Sequence, residues 1–486
     1  MSESTRTGYA PTPRERGQPL DDHTVIGLTI ALTLGTWVAR PVPLPVLVLA
    51  VGGLLGVVAG RRRTSALVLL GAVLLGSWSG DRAWRAATAG PMAAVEVDGV
   101  GTLLSDPAPL GRGRSVVIEI DGRRYEALTF GSPSSRLADL LAGETVHLAG
   151  EIGPAPPARA RRLAARHIVG RLTLDHVSVT GEGSPAARAA NRIRRALARG
   201  SAGLPDVERS LFLGLIIGDD REQPRELVDD FRASGLSHLS AVSGQNVAFV
   251  LLVAAPALTR LRPRSRWLAT TMLIGWFALL TRFEPSVIRA SGMAVLSATA
   301  FWRGRQASPL RMLALTVAAF HLVDPLLVWS VGWWLSVGAT MGIAVLAHPL
   351  ERLLPGPRPL RVAAATSLAA NIGVTPASLL VFGRSPLVSL VANLLAVPVA
   401  GFVMIVGIPA GLLAAAFPTL APIVLLPGRL GTRWVLVVAR LAAAVEPDGW
   451  GRWPAVIQLA AVATLVIVRR RRAGPLRRVR SPGSDP

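Results

Sequence analysis

Cysteine is absent from the 486 residues, which excludes disulfides and thiolate metal sites. Lysine is absent as well, so the formal charge of +22 is carried by arginine alone. A GC-rich genome accounts for arginine in place of lysine, but not for where the arginines sit. Histidine is sparse, with seven scattered residues and no H-E-x-x-H or H-x-H-x-D-H grouping, so neither a metal nor a cofactor is expected. Aromatic residues make up 5% of the chain against 51% hydrophobic residues. Those apolar residues collect into runs of about 20, the length that crosses a bilayer, which excludes an ordinary soluble chain.

Against that background the polar segments mark the organisation. Residues 1–23 read as a disordered cytoplasmic tail, with no signal-peptide cleavage pattern before the first span. Spans are expected near 24–39, 42–60 and 64–80, forming a three-helix membrane segment over 24–90. Arg61-Arg62-Arg63 lies between the second and third and is cytoplasmic by the positive-inside rule. Residues 91–183 change texture. Ser115–Ile120 and Arg123–Phe130 alternate around Asp121-Gly122, a hairpin signal because glycine supplies the positive φ of a tight turn. Strands are also expected at Glu144–Gly150 and Ile168–Val179, and five or so short strands suggest a small extracytoplasmic barrel, with an OB-fold leading.

Residues 184–236 read as amphipathic or interfacial helices. Within them Arg188, Arg192, Arg195 and Arg199 share one face, which is either a solvated, headgroup-facing surface or a contact for nucleic-acid phosphates. Residues 237–470 form a polytopic domain with spans near 238–258, 267–281, 286–302, 308–323, 327–347, 361–382, 386–414 and 453–468. Residues 420–446 either span or lie along the interface. Residues 471–486 are a basic cytoplasmic tail. Arginine clusters alternate along this domain with arginine-poor turns at Glu284-Pro285, Asp324-Pro325 and Ser385-Pro386, and the N-terminus is inside because two spans separate it from the cytoplasmic Arg61-Arg62-Arg63. The fold class expected is an α-helical polytopic membrane protein, with about eleven to twelve transmembrane helices and one inserted β-domain.

One span opens with an unusual density of polar side chains: Ser237, His238, Ser240, Ser243, Gln245 and Asn246, with Gly244 among them. Such groups are costly in hydrocarbon unless they face protein or water, and broken helices in transporters carry polar residues at their breaks. They are therefore candidates to line a channel, the alternative being hydrogen-bonded glue between helices. Arg289, about one turn inside a span, either snorkels outward or faces a pore. Asn371 and Asn393 are weaker signals, and a local structural bond near Pro398 is the favoured reading for Asn393. Tyr125 and Phe130 are the stacking candidates of the β-domain. Ser243 with His238 as nucleophile and base is disfavoured, since five residues on a helix point them apart and no third group orients the imidazole.

At these residues a resemblance becomes specific. Gly214–Asp219, Phe231–Gly244, Pro285–Ala290, Asp324-Pro325-Leu326 and Ser389–Pro398 resemble, in order, the signature regions of the ComEC family of bacterial competence proteins. The resemblance covers roughly 205–415, and residues 91–180 are similar in position to that family's extracytoplasmic OB-like domain. It implies an inner-membrane channel that moves single-stranded DNA inward during natural transformation. It also implies the lipid bilayer as surroundings. A separate nuclease, DNA receptor or motor protein, and a second copy of the chain, are the further partners considered. Three departures stand out. Gln245-Asn246 occupy positions where many members have Leu-His, and Asp220 stands where arginine is common. The metallo-β-lactamase-like domain that many members carry is not expected in this chain, so no catalytic residue is assigned. The alternatives are a transporter of a small or lipid-linked anionic metabolite and a membrane-embedded hydrolase.

Overall fold

The computed structural model describes residues 21–43, 66–240, 244–304, 308–383 and 388–446, with single positions besides. Two helices open the chain, α1 (Asp22–Val38) and α2 (Ala66–Thr88). They pack in parallel, Gly27 beside Leu69 and Gly80 beside Thr36. Helix α2 runs past the Gly80 exit expected from the sequence and ends against the β-domain.

The β-domain comprises β1 (Val95–Leu103), β2 (Ala108–Leu110), β3 (Gly113–Ile120), β4 (Arg123–Phe130), β5 (Thr145–Pro154) and β6 (Ile168–Gly181). Helix α3 (Ser132–Leu137) links β4 to β5, and α4 (Pro157–Ala164) links β5 to β6. The hairpin at Asp121-Gly122 is present, with φ of 49° and 73° at the two turn residues and Ile120 paired to Arg123. Two positive φ values match the right-handed twist of the flanking strands. The strand order is β1-β5-β6-β4-β3-β2, with β4 and β6 parallel and the other pairs antiparallel. Strand β1 also pairs with β3 through Thr102↔Glu119 and Leu103↔Ile118, so the ladder returns to its first strand. Alternate residues Val116, Ile118 and Ile120 point into a core shared with Leu148, Leu172 and Val177, as period-two strands require.

Helices follow in a nearly unbroken series. They are α5 (Pro185–Gly200), α6 (Asp206–Ile217), α7 (Arg225–Ala233), the single turn α8 (Ser237–Ser240) and α9 (Gly244–Leu258). Next come α10 (Pro263–Leu280), α11 (Pro285–Trp302), α12 (Pro309–Val323) and, after a 3-10 turn, α13 (Val331–Glu351). The last are α14 (Arg358–Phe382), α15 (Ser389–Ala416) and α16 (Leu426–Val445). Helices α13 and α14 approach closely because Gly338, Gly342 and Gly373 have no Cβ; a methyl on any of them meets the facing backbone.

Among the described residues three helices, α13, α14 and α15, are long and apolar enough to cross a membrane, and residues 418–445, bent by 49°, make a fourth. Several of the expected spans are not among these. Helices α9 and α12 carry apolar sequence but are only 15 residues long. The stretches at 42–60 and 453–468 lie outside the described residues, isolated positions apart. Residues 420–446, which the sequence left open, are a broken pair, not one straight span.

One end of the bundle receives the β-domain. His167 Nε2 lies 2.9 Å from Asp324 Oδ1, and Ala164 packs with Ala87 and Leu326. Trp329 contacts both Trp37 and Trp84, with ring centroids 6.1 and 5.7 Å apart. At the other end of α1 and α12, Asp22 bonds Ser308 and Arg311.

Candidate functional site

Helix α6 ends at Gly218, whose left-handed conformation lets its N–H reach Gly214 O and the Asp219 N–H reach Leu213 O. Two of the remaining terminal carbonyls are met by side chains from elsewhere. Asn246 Nδ2 donates to Leu215 O at 3.1 Å, and Arg194 Nη1 donates to Ile217 O at 3.2 Å. The same Arg194 nitrogen donates to Leu280 O, the last residue of α10, at 3.1 Å. One guanidinium thus caps two helix C-termini, where the partial negative charge of both dipoles favours a cation.

Arg194 is also the centre of an ion network. Its Nη2 lies 2.9 Å from Asp106 Oδ2 and 3.2 Å from Asp219 Oδ2. Arg221 holds Asp219 bidentately, at 2.7 and 2.8 Å. Arg282 holds Asp106 at 2.8 Å and also donates to Asn191 Oδ1, whose amide reaches Ala142 O. Asp106 belongs to the β1–β2 loop, so this network clamps the β-domain onto α5, α6 and the α10–α11 turn. That turn holds Arg282 and Phe283 in the left-handed region, at φ 60° and 54°, an uncommon conformation for side chains of that size. Burial alone would raise the Asp106 carboxyl, but Arg194, Arg282 and Arg221 hold it down at about 2. The neighbouring carboxyls diverge. Burial raises Asp219, but the Arg221 hydrogen bond and Arg194 bring it below the usual range, while Asp220 is raised by the crowding protein and by Asp219.

The polar segment lies directly against this network. Gly214 sits beside Ser240 O and Gln223. A methyl on Gly235 would come 2.5 Å from Ser389 Cβ at the start of α15; one on Gly244 would come 2.7 Å from Arg289 Nη2 and 2.9 Å from Ala290 Cβ. Four of the five motifs quoted above therefore converge on one place, and the fifth, Asp324-Pro325-Leu326, sits under the β-domain. Ser237, His238 and Gln245 are exposed, and Ser240 is half-buried with its hydroxyl donating to Ser237 O at 2.9 Å. Ser243 lies outside the described residues, and with it the Ser243–His238 pairing.

Several expectations need correcting. Arg289 does not snorkel: it is buried, its Nε donating to Ser336 Oγ at 2.7 Å and its Nη1 reaching Met293 Sδ. Asn246 is buried as a cap on α6, not set among the exposed groups. Asn393 is buried one turn beyond Ser389, and its Oδ1 meets no hydrogen-bond partner among the described residues. Asn371 donates to Ser389 Oγ at 3.3 Å. Tyr125 shares the inward face of β4 with Ala127 and is packed in the core, so its ring is not offered for stacking; Phe130, on the opposite face, is exposed. On α5, Arg192 and Arg199 are exposed, Arg188 lies near Glu182, and Arg195 pairs with buried Glu144. The ion network itself was missed, since its members come from four separate segments: the β1–β2 loop, α5, the turn after α6 and the α10–α11 turn. Among the described residues no group of three His, Asp or Glu is placed to hold a metal.

A family model described as Competence protein matches residues 215–472, a little over half of the chain. The chain belongs to the competence protein family. Among its relatives are uncharacterized protein YcaI of Escherichia coli (strain K12), 29% identical over 268 residues, covering 50% of this chain and 33% of the relative. ComE operon protein 3 of Bacillus subtilis (strain 168) is 26% identical over 216 residues, covering 43% of this chain and 27% of the relative. Competence protein ComA of Neisseria gonorrhoeae is 31% identical over 220 residues, covering 43% and 30%. The chain thus spans about a third or less of the length of these relatives. No solved structure matches it. The matched span contains the polar segment, Arg289 and Asn393, while the β-domain and Arg194 precede it.

Proposed function

We propose that the chain is a multi-pass inner-membrane protein of competence that passes single-stranded DNA into the cytoplasm, with its N-terminus inside and its β-domain outside. The observation that carries this reading is the break between α8 and α9. There, exposed Ser237, His238 and Gln245 stand where four family motifs meet, with a buried arginine on the neighbouring helix. Uncharged groups that remain wetted suit a passage that must not hold a polyanion tightly, and broken helices serve that role in transporters.

The β-domain supports the same reading. Its ladder β1-β5-β6-β4-β3-β1, with parallel β4 and β6 and a helix between β4 and β5, is in keeping with an OB-type barrel, a platform for single strands. Arginine at 260–266 and 352–361 falls at the bundle end away from the β-domain, in keeping with a cytoplasmic side. The part proposed for these residues is conduction, with a separate nuclease and a motor protein as partners.

The test is transformation frequency with Ser237→Leu and Gln245→Leu together. Exposed positions tolerate the change in folding, so membrane levels should match the parent while transformation falls about tenfold or more, equivalent to about 1.4 kcal/mol of added barrier. Unchanged transformation at unchanged level overturns the passage assigned to this break.

A further inference from the structure

The bundle has an arginine-rich corner remote from the β-domain, where α10 begins and α11 ends. Trp267 lies 13 residues before Leu280 in α10, about 20 Å along the helix from the capped end. Arg260, Arg262 and Arg264 are exposed and Arg266 is half-buried. No Asp or Glu occurs anywhere in α10 or α11, so neither helix neutralises them itself. Between the two helices run two adjoining grooves of about 400 and 200 Å³ that share Trp267 and Trp302.

The walls of these grooves are set by specific contacts. The Trp267 indole N–H donates to Thr299 Oγ1 at 3.0 Å, and its ring centroid lies 5.9 Å from that of Trp302. The Arg266 guanidinium stacks over Phe301 at 5.3 Å, a cation–π contact that leaves its N–H edge available. Below the arginines the surface is apolar and open: Leu268, Met272 and Phe301 are all more than half exposed. Cation above, tryptophan at the boundary and exposed aliphatic side chains beneath is the profile of a bilayer interface.

We propose that this corner binds an anionic phospholipid, its phosphate on Arg264 and Arg266 and an acyl chain along Trp267, Leu268 and Trp302. Basic pockets between membrane helices select such headgroups by charge, and the grooves supply the apolar length that a free phosphate would not use. A single strand of nucleic acid fits less well, because its sugars would lie against Leu268 and Met272. The proposal rests on the placement of the bundle in a bilayer and is independent of DNA passage.

The test uses the full chain in nanodiscs of phosphatidylcholine, alone or mixed with phosphatidylglycerol, followed by native mass spectrometry of the released protein. The parent should retain phosphatidylglycerol over phosphatidylcholine, and Arg264→Gln with Arg266→Gln should lower that preference about tenfold. Trp302→Ala should weaken retention of both lipids. Equal preference in parent and double variant overturns the site. So does displacement of phosphatidylglycerol by a single-stranded oligonucleotide that depends on the same two arginines, which would make the corner a nucleic-acid surface. Thermal unfolding in phosphatidylcholine alone reports whether the double variant folds, and if it does not, Arg264→Gln alone is read by the same criteria. Loss of transformation in the passage variants with lipid preference intact separates this proposal from the function above.

Discussion

Two polar regions meet at α6 and are built on opposite rules. At the foot of the β-domain the groups are charged, buried and paired with one another: Arg194 and Asp106 side chains are 3% and 8% exposed and lie 2.9 Å apart. Across the α8–α9 break the groups are uncharged and, at Ser237, His238 and Gln245, left exposed. Charges taken out of water hold position only when every partner is present, so the first region is suited to fixing one arrangement. Neutral groups left at the surface cost less to rearrange than buried charges, which suits the second to contact with something that moves. Asn246 and Arg194 join the two, since both cap the same end of α6.

The largest effect should come from breaking the fixed region. Arg194→Ala leaves Asp106 and Asp219 buried without their shared cation and strips two helix C-termini of a donor. A loss of about 3–5 kcal/mol is expected, enough to lower the unfolding temperature sharply or remove the protein from the membrane. Asp106→Ala should do similar damage, and the double variant should fall well short of the sum, because the two share one interaction. Additive losses would show that the network does not act as a unit.

Asn246→Leu should come next and sharpens the boundary between the regions. Leucine keeps nearly the same volume but leaves Leu215 O without its donor, at a cost of about 1–3 kcal/mol. The expected outcome is lower thermal stability together with lower transformation. Full stability with transformation abolished would move Asn246 into the passage.

The network also predicts an acid limit. The Asp106 carboxyl is held at about 2 in the folded protein against an ordinary value of 3.8. Its stabilisation is therefore complete above the ordinary value and is lost as pH falls from there toward about 2. Unfolding temperature should be flat in this contribution down to about pH 4 and then decline, and Asp106→Asn should remove that part of the decline. An unchanged decline in the variant would assign it to other carboxylates.

How much of this was legible varies by element. The hairpin at Asp121-Gly122 and the helix over 185–200 follow from local rules, and the family motifs could be read directly as residues. Tyr125 was legible in principle: the two-residue turn at Asp121-Gly122 sets Tyr125 opposite Ile118, on the face of Val116, Ile118 and Ile120, while Phe130 falls on the other face. Arg194 was not legible. It falls off the Arg188–Arg192–Arg195–Arg199 stripe, and its partners Asp106 and Leu280 O lie 88 and 86 residues away. A buried cation is specified by distant carboxylates and helix ends, and no spacing rule records them. Two expected spans, 238–258 and 308–323, end up as helices of only 15 residues because hydropathy does not register where a helix breaks.

The smallest effect expected lies on α5 and carries the comparison into a single helix. Arg195 reaches back to buried Glu144 and Arg194 to the ion network, whereas Arg192 and Arg199 are exposed on the same four turns. The exposed pair carries no ion pair among the described residues and is the better placed to meet phosphates. Arg192→Gln should therefore leave thermal stability unchanged. If α5 meets the strand, it should weaken binding of a single-stranded oligonucleotide uniformly across sequences. The sharper readout is salt: removing one arginine–phosphate pair should reduce the slope of log affinity against log salt by about 0.7 for a single strand. Arg195→Gln should behave in reverse, lowering stability by leaving Glu144 without its cation while changing that slope little. A parent slope retained in Arg192→Gln would return this face to solvent or lipid headgroups, and a reduced slope in Arg195→Gln would mean that Glu144 releases its partner when a strand arrives.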